Sequence, residues 1–444
     1  MKVFKFGGTS LGTPERFKKL PELLSGKERK IVVLSAIAGT TDRLERINAC
    51  LAKGDIKCAG AVVDELEKFY SKFIYGLFEW TSFYTQSRLF VETRIIKLKG
   101  LLERTFTEEV SNEILAQGEL LSSGLFRCLL KARGEDFVYL YAPDFLVKNE
   151  EGQPDQERLG RELKRMLAEN PGVSLFITQG FICSNHRGRL DTLGRGGSDF
   201  TASLIGAVLE AAEIQIWTDV DGVHNNDPRR VEETRPIPEL SYDEADELAY
   251  FGAKVLHPAC VFPAKQKNIP IRIKNTLNPG APGTLVHDTQ KGSGIKAVAV
   301  KDGITAVRIR SARMLMAYGF LRKVFEVFER YKTPIDMIST SEVSVSLTVD
   351  DKSSLEEIVA ELKDLGTVEV DENQTIVCVV GDFMAEKPGM VRIVLNALRE
   401  IPVRMISYGG SMNNVSLLLH QQDKDKALRA LHHYLFLNRE IHVN

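Results

Sequence analysis

The sequence predicts an α/β protein followed by a smaller α+β region, and three observations support that fold class. Apolar runs of strand length alternate with amphipathic helical segments up to about residue 285. A long helical stretch, 45–132, interrupts this alternation. After the Pro/Gly cluster at 278–286 the elements become short. At 444 residues the chain is long enough for two or three domains.

The first region, 1–285, is predicted to be a sheet with helices on both faces. After the opening MKVFKF, its strand candidates are apolar throughout, as expected for strands between two helical layers. Those candidates are 31–39, 136–144, 173–181, 213–222 and 269–275. The helix candidates are 156–168, 198–212 and 241–256. The stretch 45–132 is rich in aromatic residues, and we interpret it as a helical insertion whose aromatic side chains pack in its core.

The second region, 295–444, is predicted to contain two ferredoxin-like units. The elements from ITAVRIR to TVEV follow the order βαββαβ. Those from TIVCVVG onward follow βαββα, which is one strand short, and KAVAVK at the start of the region supplies the missing strand. One unit, about 304–371, is therefore expected to be nested in the other, about 295–301 plus 374–444.

Composition excludes several classes of function. The 58 basic and 60 acidic residues give a formal charge of -2, which disfavours nucleic-acid binding as the main role. No apolar run approaches the ~18 residues that a membrane-spanning helix needs, and the opening is a strand pattern rather than a signal peptide. The six cysteines lack metal-site spacing, which predicts reduced, packed thiols. We expect a cytoplasmic protein that binds neither nucleic acid nor membrane.

The stretch KFGGTSL at 5–11 lies between a predicted strand and a helix that can begin at Thr9 or Ser10. Glycines let backbone N–H groups approach an anion closely, and Lys5 beside them suits a phosphate. A plain strand-to-helix connection is the alternative. Walker A and Rossmann glycine patterns are absent from the sequence, so any phosphate site is expected to be assembled from several loops.

Two later segments carry further polar groups. In TLGRGGSD, three glycines surround Arg195, and Ser198 and Asp199 stand at a predicted helix start, which favours a functional loop over a simple capped turn. In WTDVDG, a strand delivers Thr218 and Asp219 to its carboxyl end, where open α/β sheets bind ligands.

Lys254 lies near the end of the predicted helix 241–256. Its position alone favours a partner of the helix dipole rather than a ligand contact.

Seven short motifs follow one another along the first region. They are KFGGTS (5–10), GELLSS (118–123), TQGFI (178–182), TLGRGGSD (192–199), WTDVDG (217–222), DPR (227–229) and FGAKVLHP (251–258). In type and order they resemble the motifs of the aspartokinase family, in the amino-acid kinase superfamily, and most closely its monofunctional, lysine-sensitive type. The tail, in GFLRKVFEVF (319–328) and IDMISTSEVSVSLTVD (335–350), resembles the regulatory ACT domains of that family. The resemblance implies a carbamate-kinase-like α/β sandwich followed by two ACT units.

The resemblance implies that the chain uses ATP and Mg²⁺ to phosphorylate the side-chain carboxylate of L-aspartate, which is the first step of lysine, threonine, methionine and diaminopimelate biosynthesis. A carboxylate is already a nucleophile, so alignment and charge neutralisation suffice without a general base. A kinase for glutamate or N-acetylglutamate is one alternative, and the two-unit tail counts against it. A non-catalytic amino-acid sensor is another, and the intact Lys5, Arg195, Asp199 and Lys254 count against that.

The resemblance also implies roles for individual residues. Lys5 and Asp199 would be catalytic, no residue is assigned to a metal, and His224 stands where many family members carry tyrosine. The residues implied to hold aspartate are Thr41, Glu119, Arg195 and Ser198. The residues implied to contact the nucleotide are Lys5, Gly7, Gly8, Thr9, Ser10, Thr218, Asp219, His224, Arg229 and Lys254, an assignment that replaces the helix-dipole interpretation of Lys254.

In the tail, the resemblance implies an effector site for an amino acid, with L-lysine expected, and a homodimer formed through the ACT units. Met316 and Ala317 stand where relatives carry polar residues. An ordinary alternating strand remains the alternative interpretation of SEVSVSLTV. The residues implied to bind the effector are Met314, Gly319, Phe320, Leu321, Asp336, Thr340, Ser341 and Glu342.

Overall fold

The computed structural model describes residues 1–79, 81–252, 256–289, 294–311, 314, 318–381 and 388–438. These residues form two compact units. The first unit comprises the described residues within 1–223, 238–245 and 255–289, and the second comprises those within 224–237, 246–254 and 290–444.

Strands and helices alternate through the first unit and recur as shorter elements in the second. The strands are β1 (Lys2–Phe6), β2 (Lys30–Leu34), β3 (Val138–Tyr139), β4 (Leu175–Gln179), β5 (Ile182–Ser184), β6 (Leu190–Thr192), β7 (Glu213–Thr218), β8 (Glu239–Leu240), β9 (Ile271–Asn275), β10 (Thr284–Val286), β11 (Ile295–Arg310), β12 (Ile338–Thr340), β13 (Ser344–Val349), β14 (Thr367–Gly381), β15 (Met405–Tyr408) and β16 (Asn414–His420). The helices are α1 (Pro14–Leu23), α2 (Thr40–Ala52), α3 (Ile56–Phe78), α4 (Ser82–Leu101), α5 (Glu108–Leu115), α6 (Gln117–Ala132), α7 (Ala142–Phe145), α8 (Gln156–Ala168), α9 (Gly197–Val208), α10 (Tyr242–Tyr250), α11 (Pro258–Gln266), α12 (Phe320–Arg330), α13 (Leu355–Leu362), α14 (Met390–Ala397) and α15 (Lys424–His432), followed by a π-helical turn, His433–Leu437.

The first unit is built on an eight-stranded sheet in the order β3-β4-β2-β1-β7-β9-β10-β8. Neighbouring strands of this sheet run parallel to one another from β3 through β4, β2, β1 and β7 to β9, and β10 is antiparallel to β9. All side chains of β2 and β4 are buried, as expected for parallel strands covered on both faces. Strand β1 lies between β2 and β7, where Lys5 is opposite Val33 and Ile216. Lys5 therefore projects from the middle of the sheet.

Helices α2 to α6 occupy the stretch that the sequence predicts to be helical. Their aromatic side chains form a core with the sheet and α1. The ring of Phe17 packs edge-on against Phe73 at 5.5 Å and against Phe126 at 5.6 Å between centroids. Helix α6 is buried along most of its length and carries the buried side chain of Glu119.

The second unit is built on a six-stranded antiparallel sheet in the order β12-β13-β11-β14-β16-β15. The later part of β11 pairs with β13 and with the start of β14, whereas its first part pairs with the end of β14. One apolar core contains Val307 and Phe328, and another contains Val377 and Leu417. The two long strands β11 and β14 thus connect the two apolar cores within a single sheet.

Three sequence-based element predictions were wrong in detail. Helix α1 begins at Pro14, with the Thr13 side chain as its N-cap, rather than at Thr9 or Ser10. The stretch 136–144 holds only the two-residue strand β3, because Pro143 favours the first turn of the short helix α7. Helix α10 ends at Tyr250.

The prediction that all cysteines are reduced was also wrong. Cys50 near the end of α2 and Cys58 near the start of α3 form a disulfide, with their Cα atoms 5.8 Å apart. The short connection between α2 and α3 brings these positions together, and their sequence spacing alone gives no signal of it. Cys128, Cys183, Cys260 and Cys378 are free. None of the helices in the described ranges is both long and apolar enough to cross a bilayer.

We predict that Phe126→Ala lowers the free energy of unfolding by about 3–5 kcal/mol, because it removes a fully buried ring from the core beneath the site. Urea unfolding measures this. The control is Ile96→Ala on α4, where the side chain is 70% exposed and the expected change is within about 0.5 kcal/mol. Equal effects of the two substitutions would contradict the packing described here.

Candidate functional site

A cavity of about 510 Å³ lies at the carboxyl end of the parallel sheet in the first unit. Its wall is formed by the end of β1, the loop after β2, the first turn of α2, helix α6 and the loop that leads into α9. It brings together seven of the residues implied by the family resemblance: Lys5, Gly8, Thr41, Glu119, Arg195, Ser198 and Asp199. The ends of parallel strands are the usual location of ligand sites in such sheets.

Lys5 and Asp199 form an ion pair at the floor of this cavity. Lys5 Nζ lies 2.5 Å from Asp199 Oδ1, and the two side chains are only 12% and 14% exposed. Asp199 stands in the first turn of α9, where the unpaired backbone N–H groups and the helix dipole stabilise negative charge. The pair holds the lysine ammonium at the helix N-terminus, next to the space that a ligand would fill.

Glu119 is a buried carboxyl group on the cavity wall, 5% exposed. Burial raises its pKa from the ordinary 4.5 to about 8, although a hydrogen bond from the Ala36 N–H, 3.2 Å long, and the charge of Lys5 oppose the shift. A carboxyl group in this position is therefore poorly solvated when ionised, and a cationic ligand would stabilise it.

Arg195 lies in the turn Gly194–Gly197 and lines the cavity with an exposed side chain. Within the described ranges, no carboxylate forms an ion pair with it. Gly196 has a φ of +73°, in the left-handed region that favours glycine. A methyl group at Gly197 would lie 2.8 Å from the ring of Phe181. The glycines around Arg195 are thus required by backbone conformation and by close packing.

Ser10 and Thr9, both implied to contact the nucleotide, occupy different environments. The buried Ser10 hydroxyl donates to the Trp217 carbonyl at 3.1 Å and lies 2.6 Å from Thr276 Oγ1, so it holds the turn in place. Thr9 is exposed. A side chain at Gly8 would lie 2.9 Å from the Ala36 carbonyl oxygen, which explains the glycine there.

Thr218 and Asp219, which are also implied to bind the nucleotide, are not among the residues that line this cavity. Thr218 and the exposed Asp219 lie at the carboxyl end of β7, with the Thr218 hydroxyl 3.2 Å from Asp219 Oδ1. His224 Nδ1 lies 3.0 Å from Thr234 Oγ1. Lys254 lies outside the described residues.

Arg229 makes two hydrogen bonds of 2.9 Å to the Asp227 carboxylate. Its guanidinium group is therefore paired within its own loop, and a phosphate that bound there would compete with Asp227.

The residues implied to bind an effector lie in the second unit and differ in exposure. Gly319 is the N-cap of α12, Leu321 is 36% exposed, and Phe320 belongs to the core at 8% exposed. The Asp336 carboxylate accepts hydrogen bonds from Lys301 Nζ at 2.5 Å and Tyr250 Oη at 2.9 Å. The remaining members are Met314, which is half-buried, and Thr340, Ser341 and Glu342, which are exposed.

Sequence reasoning missed two residues at the cavity. Phe181 lines it with a φ of +64°, which is rare for a bulky residue. His257 caps α11 and packs against the turn of Arg195. Phe181 lies in the motif TQGFI and His257 in the motif FGAKVLHP. The signal available for Phe181 was the Gly-Phe pair directly after a buried strand.

Comparison with known proteins places this geometry in a family. The amino acid kinase family model matches residues 1–275, and an ACT domain model matches 377–435. The lysine-sensitive aspartokinase 3 of Escherichia coli strain K12 is 33% identical over 450 residues, which cover 98% of this chain and 99% of that protein. The chain belongs to the aspartokinase family.

Solved structures of the family agree with this assignment. The crystal structure of E. coli aspartokinase III in complex with aspartate and ADP, in the R-state, matches with a TM-score of 0.87 at 32% identity, covering 98% of this chain and all of that one. The complex of the same enzyme with lysine and aspartate, in the T-state, matches with a TM-score of 0.81 at 33% identity, covering 98% and 99%. These matches confirm the fold class and the prediction of an ATP-dependent phosphotransferase that acts on a carboxyl group.

We predict that Glu119→Gln becomes stabilised relative to the wild type as the pH rises. Folding raises the pKa of Glu119 from 4.5 to about 8. Between pH 4.5 and pH 8 the folded wild type therefore holds a proton on Glu119 that the unfolded chain has released. Its free energy of unfolding falls as the pH rises through this range. Glutamine carries no such charge. Urea unfolding at pH 5.5 and pH 9 should show a relative change on the order of 1 kcal/mol or more.

The matched control is Glu135→Gln, which replaces an exposed glutamate. Parallel pH dependences of the wild type and Glu119→Gln would refute the raised pKa.

Proposed function

We propose that the chain transfers the γ-phosphoryl group of ATP to the side-chain carboxylate of L-aspartate, giving 4-phospho-L-aspartate and ADP. The observation that carries this proposal is the charge pattern of the cavity, where Arg195, which no carboxylate of the described residues pairs with, and the buried Glu119 carboxyl line the same space. Aspartate presents an ammonium group and two carboxylates, which complement both groups. A ligand without the ammonium group would supply no cation to stabilise the ionised form of Glu119, whose pKa burial raises to about 8.

The proposed substrate contacts follow from these charges. Arg195 binds one carboxylate through two parallel N–H donors, which is the geometry that a guanidinium group favours. Glu119 accepts from the substrate ammonium group. Thr41 in the first turn of α2 and Ser198 in the first turn of α9 supply hydroxyl groups on the same wall.

Lys5 and Asp199 are the proposed catalytic pair. The attacking carboxylate needs no proton removed, so the protein must align the reactants and neutralise charge on the transferring phosphoryl group. Lys5 supplies that positive charge, and its pairing with Asp199 at 2.5 Å fixes the ammonium group beside the N-terminus of α9. The backbone of the turn at Gly7 and Gly8 is proposed to approach the phosphates.

For the nucleotide, we propose contacts from Thr9, Ser10, Thr218, Asp219, His224, Arg229 and Lys254. Thr218 and Asp219 lie at the carboxyl end of β7, beside β1 in the sheet, which supports their part in the site. Mg²⁺ is proposed to accompany ATP and to neutralise phosphate charge. The described residues contain no group of three or more His, Cys, Asp or Glu side chains suited to a metal, so phosphate and water oxygens would supply most of its ligands, as is common for Mg²⁺.

We infer that 1–285 is the catalytic domain, with its helical insertion at 45–132, and that 295–444 is a regulatory region of two ACT units with the nested boundaries predicted above. The residue range of the kinase family match and the long strands β11 and β14 support this division. L-Lysine is the proposed effector, since a relative is named lysine-sensitive and a related structure contains lysine.

A homodimer formed through the ACT units is also proposed. Ile338 on β12 and Ile406 and Tyr408 on β15 are exposed on the two edge strands of the sheet, where they can pair with a second copy. Because both substrates are metabolites of the cell interior, we propose a cytoplasmic location and a role at the start of lysine, threonine, methionine and diaminopimelate biosynthesis.

We predict that the purified protein with Mg-ATP releases ADP only when L-aspartate is present, and that hydroxylamine traps the acyl phosphate as a hydroxamate. Added L-lysine should lower the hydroxamate yield. Activity that is unchanged by added lysine would refute only the proposal that lysine is the effector. Glutamate and N-acetylglutamate serve as comparison substrates, and a product from either of them without one from aspartate would overturn the main proposal.

We predict that Arg195→Lys raises the KM for aspartate roughly 10- to 100-fold, because a lysine cannot reproduce the two parallel hydrogen bonds to a carboxylate. The KM for ATP should change far less. Steady-state kinetics with each substrate varied in turn measures this, and Arg187→Lys, at an exposed site in the hairpin between β5 and β6, is the control. An unchanged KM for aspartate in Arg195→Lys would remove Arg195 from the substrate site.

A further inference from the structure

The position of Arg195 depends on the backbone that carries it. Within the described ranges no carboxylate holds its guanidinium group, so the side chain is placed only by the turn Gly194–Gly197. That turn is closed by a hydrogen bond of 3.0 Å from the Gly197 N–H to the Gly194 carbonyl oxygen. Two glycines in it have positive φ, +75° at Gly194 and +73° at Gly196, so the chain itself is unusually free to change conformation here.

Two aromatic rings restrict this turn from different elements. The ring of Phe181 packs against Gly197, where a methyl group would lie 2.8 Å from Cδ2. The ring of His257 packs against Gly196, where a methyl group would lie 2.1 Å from Cγ and 2.4 Å from both Cδ2 and Nδ1. The imidazole therefore lies in direct contact with the backbone one residue after Arg195.

His257 is itself held in place. Its Nδ1 accepts a hydrogen bond of 3.2 Å from the Ala259 N–H, so the side chain caps the N-terminus of α11. Helix α11 is fastened to α9 in turn, because the buried Ser203 hydroxyl donates to the Cys260 carbonyl oxygen. Since α9 begins at Gly197, the ring and the turn are fixed to the same helix pair.

We infer that His257 is a positioning residue that fixes the Arg195 turn for the substrate carboxylate through the face of its ring. The inference rests on the proposed function of Arg195 as the group that binds aspartate. His257 has two separable contacts, the cap on α11 and the packing against Gly196. Only the second should affect affinity for aspartate.

Two substitutions separate these contacts. His257→Asn keeps a capping acceptor and removes the ring. We expect its KM for aspartate to rise roughly tenfold, with the KM for ATP and the melting temperature little changed. His257→Phe keeps a flat ring against Gly196 and removes the acceptor. We expect it to lower the melting temperature by a few degrees and to recover most of the affinity for aspartate that His257→Asn loses.

The control is Asp155→Ala, which removes the side-chain cap of α8 and leaves the cavity wall intact. It should lower the melting temperature without changing either KM, which shows that loss of a cap alone has no kinetic effect. An unchanged KM for aspartate in His257→Asn, an equal rise for both substrates, or a failure of His257→Phe to recover affinity would each overturn the inference.

A second readout needs no catalytic activity. Trypsin cleaves after exposed arginines when the chain around them is mobile, so cleavage of the folded protein after Arg195, located by mass spectrometry, should be several-fold faster in His257→Asn and not in His257→Phe. Equal cleavage rates in the wild type and His257→Asn would overturn the inference. If the wild type phosphorylates no aspartate, the proposed function fails, and the trypsin comparison still decides the role of His257.

Discussion

The ion pair between Lys5 and Asp199 is the interaction around which the site is arranged. Lys5 extends from the central strand of the parallel sheet, and Asp199 stands at the start of the helix that packs against that strand. Both side chains are largely buried, so loss of either partner would leave a poorly solvated charge. The pair therefore ties the central strand of the sheet to the first turn of α9, and the cavity opens beside it.

The second constraint on the site is the close approach of backbone to side chains just after β4 and around the start of α9. A Cβ on Gly180, Gly196 or Gly197 would collide with Ser198, His257 or Phe181 respectively. These contacts fix the turn that carries Arg195, although no carboxylate within the described ranges pairs with that side chain. Among the described residues the cavity wall thus combines an arginine that pairs with no carboxylate and a buried carboxyl group, Glu119, whose pKa is raised by burial.

Much of the fold follows from local pattern. Helix α8 has the bounds that periodicity predicts, 156–168, and the apolar runs at β2 and β4 are the buried parallel strands expected. The prediction failed where a turn signal lies inside a strand. KAVAVK and ITAVRIR read as two strands because Asp302 and Gly303 separate them, yet they form the single strand β11. Gly303, at φ +77°, makes an irregularity in the pairing with β14 instead of a turn.

From the sequence alone, a lysine beside paired glycines and an arginine among three glycines suggest a phosphate site, and the family resemblance supplies the kinase chemistry and the predicted roles of the side chains. Three features appear only once the chain is folded: the burial of Glu119 that raises its pKa, the pairing of Lys5 with Asp199, and the packing of the His257 ring on Gly196. The reason is physical. Periodicity reports which face of an element is buried, whereas desolvation, ion pairing and ring contacts depend on which distant elements pack together.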